Sequence, residues 1–351
     1  MKIAIITDAW EPQVNGVVNT LKATKRELER MGHSVSVISP SGFRTVPCPT
    51  YPDIRLSLFP ARRVAKMLDE IHPQLIHIST EGPLGLAARR YCLRRGLPFT
   101  TAYHTRFPEY IHARCRLPLS ISYAWMRWFH RPSRAVMVPT PIVKREIANR
   151  GIRHAVDWTR GVNTGVYHPH ERDRQLSGNI GQPIFLYVGR VAVEKNIEAF
   201  LKLDLPGVKW VVGDGPQRRE LEAKYRNVTF FGMKLPPDLA RYYQSADVFV
   251  FPSRTDTFGL VLLESIACGT PVAAFPVPGP ADVIDNGRTG VLDDDLRVAC
   301  IAALKLPRAA VAKAAEHLSW ARATAQFHDN ISRYARQDAV VTPAIAAGWD
   351  K

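Results

Sequence analysis

Short runs of apolar residues recur along the chain, and each is followed by a stretch with the spacing of a helix. The runs in the first half are 2–7, 34–39, 74–79, 98–103 and 134–140. The runs in the second half are 183–189, 208–213, 227–232, 247–253 and 270–275. Short buried strands that alternate with longer helices are typical of parallel, doubly wound sheets. The pattern predicts an α/β protein with two such sheets.

A polar segment rich in chain breakers, 170–183, separates the two sets of runs and is predicted to be a linker region. We place the domain boundary nearby, which gives an N-terminal domain over 1–163 and a C-terminal domain over 164–319. The sequence of 319–337 predicts a terminal helix. We expect a helix over 320–340 to pack back on the first domain.

The composition is that of a soluble globular chain. It has 351 residues, 46% of them hydrophobic, which is enough for two cores. The five cysteines are scattered and lack CxxC spacing, which favours a reducing compartment over a disulfide framework or a zinc site. The sequence shows neither a signal peptide nor a membrane-spanning run, so we expect a cytoplasmic protein.

The positive charge is concentrated in the first half of the chain. Residues 1–163 contain 25 Lys and Arg against 11 Asp and Glu, a balance of +14. Residues 164–351 contain 22 against 21, a balance of +1. A merely solvated charged surface would not place nearly all the excess in one half, so the asymmetry favours an anionic partner for residues 1–163.

Residues that follow the predicted strands are the first candidates for a site, because ligands bind at the carboxyl ends of parallel strands. Gly16 opens a helix after the first strand, where a phosphate or a sugar could approach the backbone at the positive end of the helix dipole. Glycine also starts helices for steric reasons, so this signal alone is weak. The segment lacks GxGxxG, which disfavours a nicotinamide dehydrogenase.

Two cations follow the strand at 183–189. Arg190 could bind two oxygens of a diphosphate and Lys195 could add a point charge. Alternatively, Lys195 forms a salt bridge with Glu194 or with another acid. The turn around Gly215 is suited to a nucleotide packed against the backbone.

Two acids lie in the apolar segment 254–272. Glu264 is predicted to lie on a helix inside the protein, where a carboxylate requires a polar ligand or a salt bridge to an arginine. The helix that begins at Gly259 starts beside the strand at 247–253, so its free N–H groups face the same crevice as the two cations. Glu264 could accept hydrogen bonds from ribose hydroxyls, and Asp256 would then meet the sugar.

Together these motifs resemble the retaining glycosyltransferases of family GT4, which have the GT-B fold. The resemblance rests on the segments 12–20, 103–111, 159–169, 188–198, 211–216, 247–272 and 286–292, read PQVNGVVNT, YHTRFPEYI, TRGVNTGVYHP, VGRVAVEKNIE, VVGDGP, DVFVFPSRTDTFGLVLLESIACGTPV and NGRTGVL. It implies two Rossmann-like domains, each with a doubly wound parallel sheet, that face a central cleft.

The resemblance also assigns residues to the donor. It implies that Arg190 and Lys195 hold the diphosphate, that Glu264 holds the ribose, and that Asp256 stands at the first acid of an E-x7-E pattern. His104 matches an active-site histidine that lies against the transferred sugar. Further donor contacts are implied for Phe258, Gly259, Leu260 and Lys234.

The resemblance further implies a retaining transfer in which Arg190, Lys195 and a helix N-terminus stabilise the leaving diphosphate. No side chain forms a covalent intermediate in this scheme. We expect no metal and no cofactor besides the nucleotide-sugar substrate. Residues 293–295 are three aspartates, which we interpret as solvated turn acids rather than a metal site.

The acceptor side is expected in the basic half. Segment 110–134 interleaves arginines with aromatic residues, a composition suited to an anionic membrane interface. The residues assigned to this face are Arg114, Arg116, Trp125, Arg127, Trp128 and Arg131. An alternative is a helix with core aromatics and solvated arginines. Glu81 also follows a strand, where it has an acceptor or active-site role or caps the helix at Pro83.

The sequence of 102–111, AYHTRFPEYI, resembles that of the family branch that contains sulfoquinovosyl- and glycosyl-diacylglycerol synthases and lipid mannosyltransferases. This implies transfer from a UDP-sugar, such as UDP-glucose or UDP-glucuronate, to diacylglycerol by a peripheral protein on the cytoplasmic face of the membrane. The alternatives are a GDP-mannose-dependent α-mannosyltransferase and a transferase for a soluble glycan. A nucleic-acid-binding protein is disfavoured because no such fold is recognisable.

Overall fold

The computed structural model describes residues 1–335 except 14, 49–50, 174–175 and 177–180. Side chains at 51–53, 110 and 113–115 also lie outside this description. The strands of the first part are β1 (Lys2–Ile6), β2 (Ser34–Ile38), β3 (Thr45–Cys48), β4 (Tyr51–Ser57), β5 (Leu75–Ile78), β6 (Thr100–Ala102), β7 (Val136–Val138) and β8 (Ala155–Asp157). Its helices are α1 (Gly16–Arg30), α2 (Ala61–Ile71), α3 (Pro83–Arg95), α4 (Phe107–Cys115), α5 (Leu119–His130) and α6 (Pro141–Asn149).

The first sheet has the parallel order β2-β1-β5-β6-β7-β8, and β3 and β4 form a separate antiparallel hairpin. Ile3 and Ile5 face one apolar cluster and Ala4 and Ile6 face another, which explains why β1 reads as a continuous apolar run. The strand order reverses between β1 and β5. Such a switch point opens a crevice at the carboxyl ends of the two strands.

The second part contains a second sheet of the same kind. Its strands are β9 (Ile184–Val188), β10 (Val208–Val212), β11 (Val228–Gly232), β12 (Val248–Phe251), β13 (Val272–Ala274) and β14 (Gly290–Leu292). Its helices, including the terminal one, are α7 (Glu198–Leu201), α8 (Arg218–Lys224), α9 (Asp238–Ser245), α10 (Leu260–Ala267), α11 (Pro280–Val283), α12 (Leu296–Ala303), α13 (Arg308–Lys313) and α14 (Trp320–Ser332). The parallel order is β11-β10-β9-β12-β13-β14, with its switch point between β9 and β12.

The terminal helix α14 packs against the first sheet. Trp320 lies in a small cluster with Ala23 of α1, and Phe327 is buried in the same core as Ile3. The chain reaches α14 beside Gly161, where the Val162 N–H donates to the carbonyl of Leu318 at 2.8 Å. Residues 336–340 of the expected helix lie outside the described residues. No helix within the described ranges is long and apolar enough to cross a bilayer.

The prediction of an α/β protein with two parallel sheets is confirmed, and each of the apolar runs contains a strand. The hairpin β3–β4 and the short edge strands β8 and β14 were not expected. The last two have only three residues each, and unlike the equally short β6, β7 and β13 they do not lie within a longer apolar run. Six of the fourteen residues of the expected linker 170–183 lie outside the described residues, and the boundary after residue 163 stays a prediction.

Gly161 allows the close approach of α14. A Cβ at this position would lie 2.3 Å from the backbone nitrogen of Trp320 and 2.4 Å from the carbonyl carbon of Ser319. We expect Gly161→Ala to lower the free energy of unfolding by about 2 kcal/mol, because backbone atoms cannot move aside as a flexible side chain can. Urea denaturation measures this difference. The control is Gly181→Ala, which meets no atom within 4 Å; equal stability of the two variants would contradict the packing argument.

Candidate active site

The loops that follow β9 and β10 are held together at the switch point of the second sheet. The buried Tyr187 donates its hydroxyl to the carbonyl of Arg190 at 2.7 Å, and the N–H of Val191 donates to the carbonyl of Asp214 at 2.9 Å. Gly215 has φ of +159°, and a Cβ there would lie 2.4 Å from the carbonyl oxygen of Val191. Only glycine fits this approach, so the backbone that carries Arg190 is rigidly placed.

Lys195 forms an ion pair with Asp256. Its Nζ lies 2.5 Å from Oδ1 of the carboxylate, and the two side chains are only 24% and 16% exposed. The other oxygen, Oδ2, is buried and has no hydrogen-bond partner among the described residues. The sequence left open a salt bridge of Lys195 to an acid, and the structure contains one. Both side chains therefore lie in the same crevice.

Two further hydrogen bonds fix the turn that carries Lys195. Asn196 donates its side-chain amide to the carbonyl of Pro252 at 3.0 Å, and the Thr255 hydroxyl donates to the carbonyl of Glu194 at 3.1 Å. The turn after β9 is thus attached to the segment after β12. These hydrogen bonds hold the backbone on both sides of the Lys195–Asp256 ion pair in place.

The segment before α10 contacts the first part of the chain. The Thr257 hydroxyl donates to the backbone carbonyl of His104 at 2.8 Å. Gly259 has φ of +85° and ends the loop, Phe258 is 8% exposed, and α10 begins at Leu260. A Cβ on Gly16 would lie 3.8 Å from the Leu260 side chain. The structure therefore brings these sequence-predicted residues to one crevice between the two sheets.

Glu264 on α10 is bound by tyrosines and not by an arginine. The hydroxyl of Tyr243 donates to Oε2 of Glu264 at 3.0 Å, and Tyr167 is a second hydrogen-bond donor. Burial raises the pKa of Glu264 to about 7 although both hydrogen bonds lower it. The alternative of an arginine bridge is wrong for the described residues. Two hydroxyl donors therefore take the place of a cation beside this carboxyl group.

His104 follows β6 and lies beside Trp158, with 5.5 Å between the ring centroids. Arg160 contacts Nδ1 of His104 through Nη2 at 3.2 Å, and the other ring nitrogen, Nε2, is buried without a partner among the described residues. Burial, followed by the charge of Arg160 and by His77, lowers the pKa of His104 well below its usual value. His104 is therefore a neutral imidazole at neutral pH.

Glu81 lies next to His130. Their Oε1 and Nε2 atoms are 3.2 Å apart, and His130 is fully buried. The alternative that Glu81 caps α3 is wrong, because Asp8 accepts from the N–H groups of Leu84 and Gly85 at 3.0 and 3.4 Å. Burial raises the pKa of Asp8. Sequence analysis missed Asp8, although its position directly after β1 marked it.

Lys234 lies apart from this group. It lines a small cavity with Asp238 and Tyr242, and no described contact joins it to Arg190 or Glu264. Its role as a donor contact stays a prediction.

The segment 110–134 divides into a buried and an exposed face. Met126 and Phe129 belong to the core, as in the alternative interpretation. Trp125 and Trp128 are 37% and 49% exposed, with ring centroids 5.0 Å apart. Exposed arginines flank them: Arg116, Arg127 and Arg131. The side chain of Arg114 lies outside the described residues.

Sequence analysis missed a second exposed apolar position. Phe59 is 95% exposed with φ of +47°, and Leu58 beside it is 42% exposed. Arg62 and Arg63 follow on the exposed first turn of α2. A bulky residue at positive φ is uncommon and could not be foreseen from the sequence.

The aspartates at 293–295 form hydrogen bonds with the backbone. Asp295 caps α12 by accepting from the N–H of Arg297 at 2.9 Å, and Asp293 accepts from the N–H of Asp295 at 2.8 Å. Within the described part of the chain, no group of three His, Cys, Asp or Glu residues is arranged to hold a metal ion.

Comparisons with known proteins cover both parts. Residues 14–166 match the family described as Glycosyltransferase Family 4, and residues 182–306 match the family described as Glycosyl transferases group 1. A GDP-mannose-dependent alpha-mannosyltransferase of Mycobacterium tuberculosis is 30% identical over 83% of each chain. An alpha-monoglucosyldiacylglycerol synthase of Streptococcus pneumoniae is 29% identical over 87% of this chain and 78% of that protein. A sulfoquinovosyl transferase of Arabidopsis thaliana is 29% identical over 80% of this chain and 61% of its own length.

Solved structures show the same architecture. Sucrose-phosphate synthase from Thermosynechococcus elongatus superimposes with a TM-score of 0.74 at 22% identity, over 95% of this chain and 98% of that one. The Anabaena protein HepE in complex with UDP-glucose gives 0.71 at 17% identity, over 95% and 100%. The two-sheet architecture is the GT-B fold, and the chain belongs to glycosyltransferase family 4.

Proposed function

We propose that this glycosyltransferase moves a sugar, with retention of anomeric configuration, from a nucleotide-sugar to a membrane lipid. The observation that carries the proposal is the ion pair between Lys195 and Asp256, which joins the loop after β9, where Arg190 also stands, to the segment that leads into α10. Two cations beside a helix N-terminus suit a diphosphate. The donor binds with its diphosphate at this position.

Glu264 holds the ribose of the donor. Its deprotonated form accepts hydrogen bonds from two vicinal hydroxyls, and Tyr243 fixes the orientation of the carboxylate by donating to Oε2. Oδ2 of Asp256 is buried without a partner among the described residues. This oxygen accepts a hydrogen bond from a hydroxyl of the transferred sugar. His104, held against the same loop by Thr257, lies on the other side of that sugar.

The chemical step separates the sugar from the diphosphate. Negative charge develops on the leaving phosphate oxygen, and Arg190, Lys195 and the N–H groups of α10 stabilise it. The acceptor hydroxyl then attacks from the face that the diphosphate leaves and gives its proton to the phosphate. No protein side chain forms a bond to the sugar, and neither a metal ion nor a cofactor takes part.

The acceptor is diacylglycerol or a related lipid. Support comes from the charge of +14 on residues 1–163 and from the exposed pair Trp125 and Trp128 with its flanking arginines. Besides the tryptophan pair, the exposed Phe59 is a second apolar side chain with basic residues, Arg62 and Arg63, near it in sequence. Such surfaces suit the boundary of an anionic bilayer, so the protein acts as a peripheral protein on the cytoplasmic face.

A UDP-sugar, such as UDP-glucose or UDP-glucuronate, is the proposed donor, with the diacylglycerol synthase and the sulfoquinovosyl transferase among the relatives as support. The second candidate is GDP-mannose, which is favoured by three relatives at 30% identity that are GDP-mannose-dependent alpha-mannosyltransferases. Transfer assays with a panel of UDP- and GDP-sugars on diacylglycerol separate the two. A soluble glycan used in preference to every lipid would overturn the lipid proposal.

Glu264→Gln and Arg190→Ala should each lower transfer by about 30-fold or more, because a lost charged contact to the ribose or the diphosphate costs about 2 to 4 kcal/mol. In the native protein, donor affinity should rise as pH passes through about 7, where Glu264 becomes a carboxylate, and the Gln variant should lack this dependence. Transfer assays measure the loss of activity, and titration calorimetry with an intact nucleotide-sugar, whose phosphates do not titrate there, measures the donor affinity. The exposed Glu316→Gln and Arg288→Ala are the controls; if the site variants matched them, the donor site would be wrong.

The glycosidic bond of the product should have the same anomeric configuration as the donor, and the rate should be unchanged by EDTA. Proton coupling constants of the purified glycolipid give the anomeric configuration, and rates measured over a titration with EDTA show whether a metal ion is required. The expectation follows from attack on the face that the diphosphate leaves, with charge stabilised by side chains and N–H groups alone. Inversion, or loss of activity that added divalent cations restore, would contradict it.

The double variant Trp125→Ser and Arg131→Ser should bind anionic vesicles less tightly, because an apolar contact and about 1 kcal/mol of attraction per basic residue are lost. Co-sedimentation with vesicles containing phosphatidylglycerol measures the change, and added salt should weaken the native binding. The matched control is Val298→Ser with Arg288→Ser, which removes one exposed apolar and one exposed basic side chain from the second half. Equal vesicle binding by both double variants would place the membrane contact elsewhere.

A further inference from the structure

Arg160 is a buried cation next to the active-site histidine. It is 4% exposed, and no carboxylate among the described residues forms an ion pair with it. Its Nη1 donates to the backbone carbonyls of Trp158 and Thr159 at 2.5 and 3.1 Å, and its Nη2 lies 3.2 Å from Nδ1 of His104. Burial lowers the pKa of Arg160 to about 9, so it stays charged at neutral pH.

The contact with Arg160 decides which nitrogen of His104 carries the proton. A guanidinium group has donors and no acceptor, so Nδ1 must present its lone pair. The ring proton is then on Nε2. A second proton on Nδ1 would point at the cation and would lose this hydrogen bond. The other titratable group that acts on His104 is His77, whose own pKa falls to about 3 through burial.

The Nε2–H group of His104 is a donor whose acceptor is not among the described residues. It is buried and has no hydrogen-bond partner among the described residues. Buried donors are nearly always satisfied in folded proteins, so an orphaned one beside a ligand crevice indicates that a ligand supplies the acceptor. The hydrogen bond from Thr257 to the backbone of His104 places this donor next to the loop that precedes α10.

Packing holds Arg160 in this position independently of any substrate. Its guanidinium lies over the Trp158 ring, 4.4 Å from the centroid, and Phe327 of α14 packs against the same ring with 4.7 Å between the centroids. The amide of Thr159 donates to the side chain of Gln326 at 2.8 Å. The terminal helix therefore supports the residue that contacts His104.

We propose that Arg160 is a positioning residue that keeps His104 neutral with its proton on Nε2, so that His104 donates one hydrogen bond to an oxygen of the transferred sugar and moves no proton. The identity of the accepting oxygen rests on the proposed function. The protonation state of His104 does not, because protein groups alone fix it. His104 is thereby a fixed hydrogen-bond donor and not a general base.

Nitrogen NMR of the full chain labelled with ¹⁵N-histidine tests the protonation state directly. The signals of His104 are assigned by their absence in His104→Gln. We expect the Nε2–H tautomer, unchanged from about pH 5.5 to about pH 8, whereas a free histidine titrates within this range. A proton on Nδ1, or titration of His104 near its ordinary pKa, would overturn the proposal without any variant of Arg160 and whatever the donor is.

Arg160→Gln tests the role in the reaction. An amide can donate or accept, so it no longer dictates the tautomer, and the charge that opposes protonation is gone. We expect His104 to titrate at higher pH than in the native protein and kcat to fall as the pH rises through the new pKa, because the imidazolium keeps the Nε2 proton whereas the neutral ring can then carry its proton on Nδ1. Arg160→Lys, which keeps a cationic donor, should recover most of the native pH profile.

The control is Arg308→Gln, which also removes a half-buried arginine bonded to backbone carbonyls, in this case those of Gln244 and Ala246. It should lower stability without changing the signals of His104 or the shape of the pH profile. If a folded Arg160→Gln protein kept the native pH profile and the native tautomer, Arg160 would be a structural residue only.

Discussion

The ion pair between Lys195 and Asp256 joins the loops that follow the neighbouring strands β9 and β12. The two residues are 61 positions apart in sequence, and they meet because parallel strands of one sheet all end at the same edge. Both side chains are mostly buried, so loss of this ion pair would be costly. On the proposed function, a donor diphosphate competes with Asp256 for Lys195. The carboxylate released in this way is then available to a sugar hydroxyl.

Near this pair, Glu264 and His104 are polar groups whose charged forms are disfavoured by burial and which can still form hydrogen bonds with a ligand. Glu264 has a pKa raised to about 7, so little free energy is required to change its protonation state when a ligand arrives. His104 is neutral for the same reason and retains one donor that has no acceptor in the described part of the chain. Thr257 connects the two sides of the crevice by binding the His104 backbone. The site thus combines the cations Arg190 and Lys195 with buried polar groups that orient a polar ligand.

The sequence predicts the strands well, because strands buried on both faces read as continuous apolar runs. It also predicts that Arg190, Lys195 and Asp256 gather in one crevice, since topology alone brings strand ends together. The partners of each side chain were not predictable: the tyrosines of Glu264 and the arginine of His104 belong to other elements, and nothing in the local sequence marks them. Composition likewise could not divide 110–134 into core and surface, which depends on how α5 is rotated against the sheet.

Hydrogen–deuterium exchange of the full chain with and without UDP or GDP tests most directly whether the crevice between the two sheets is the nucleotide site. The expected result is slower exchange of backbone amides in 189–195 and 254–264, where N–H groups and cations converge on the Lys195–Asp256 pair. Amides of 285–292, on the far edge of the second sheet, should exchange as before. Protection confined to other regions, with 189–195 and 254–264 unchanged by either nucleotide at saturation, would contradict the account.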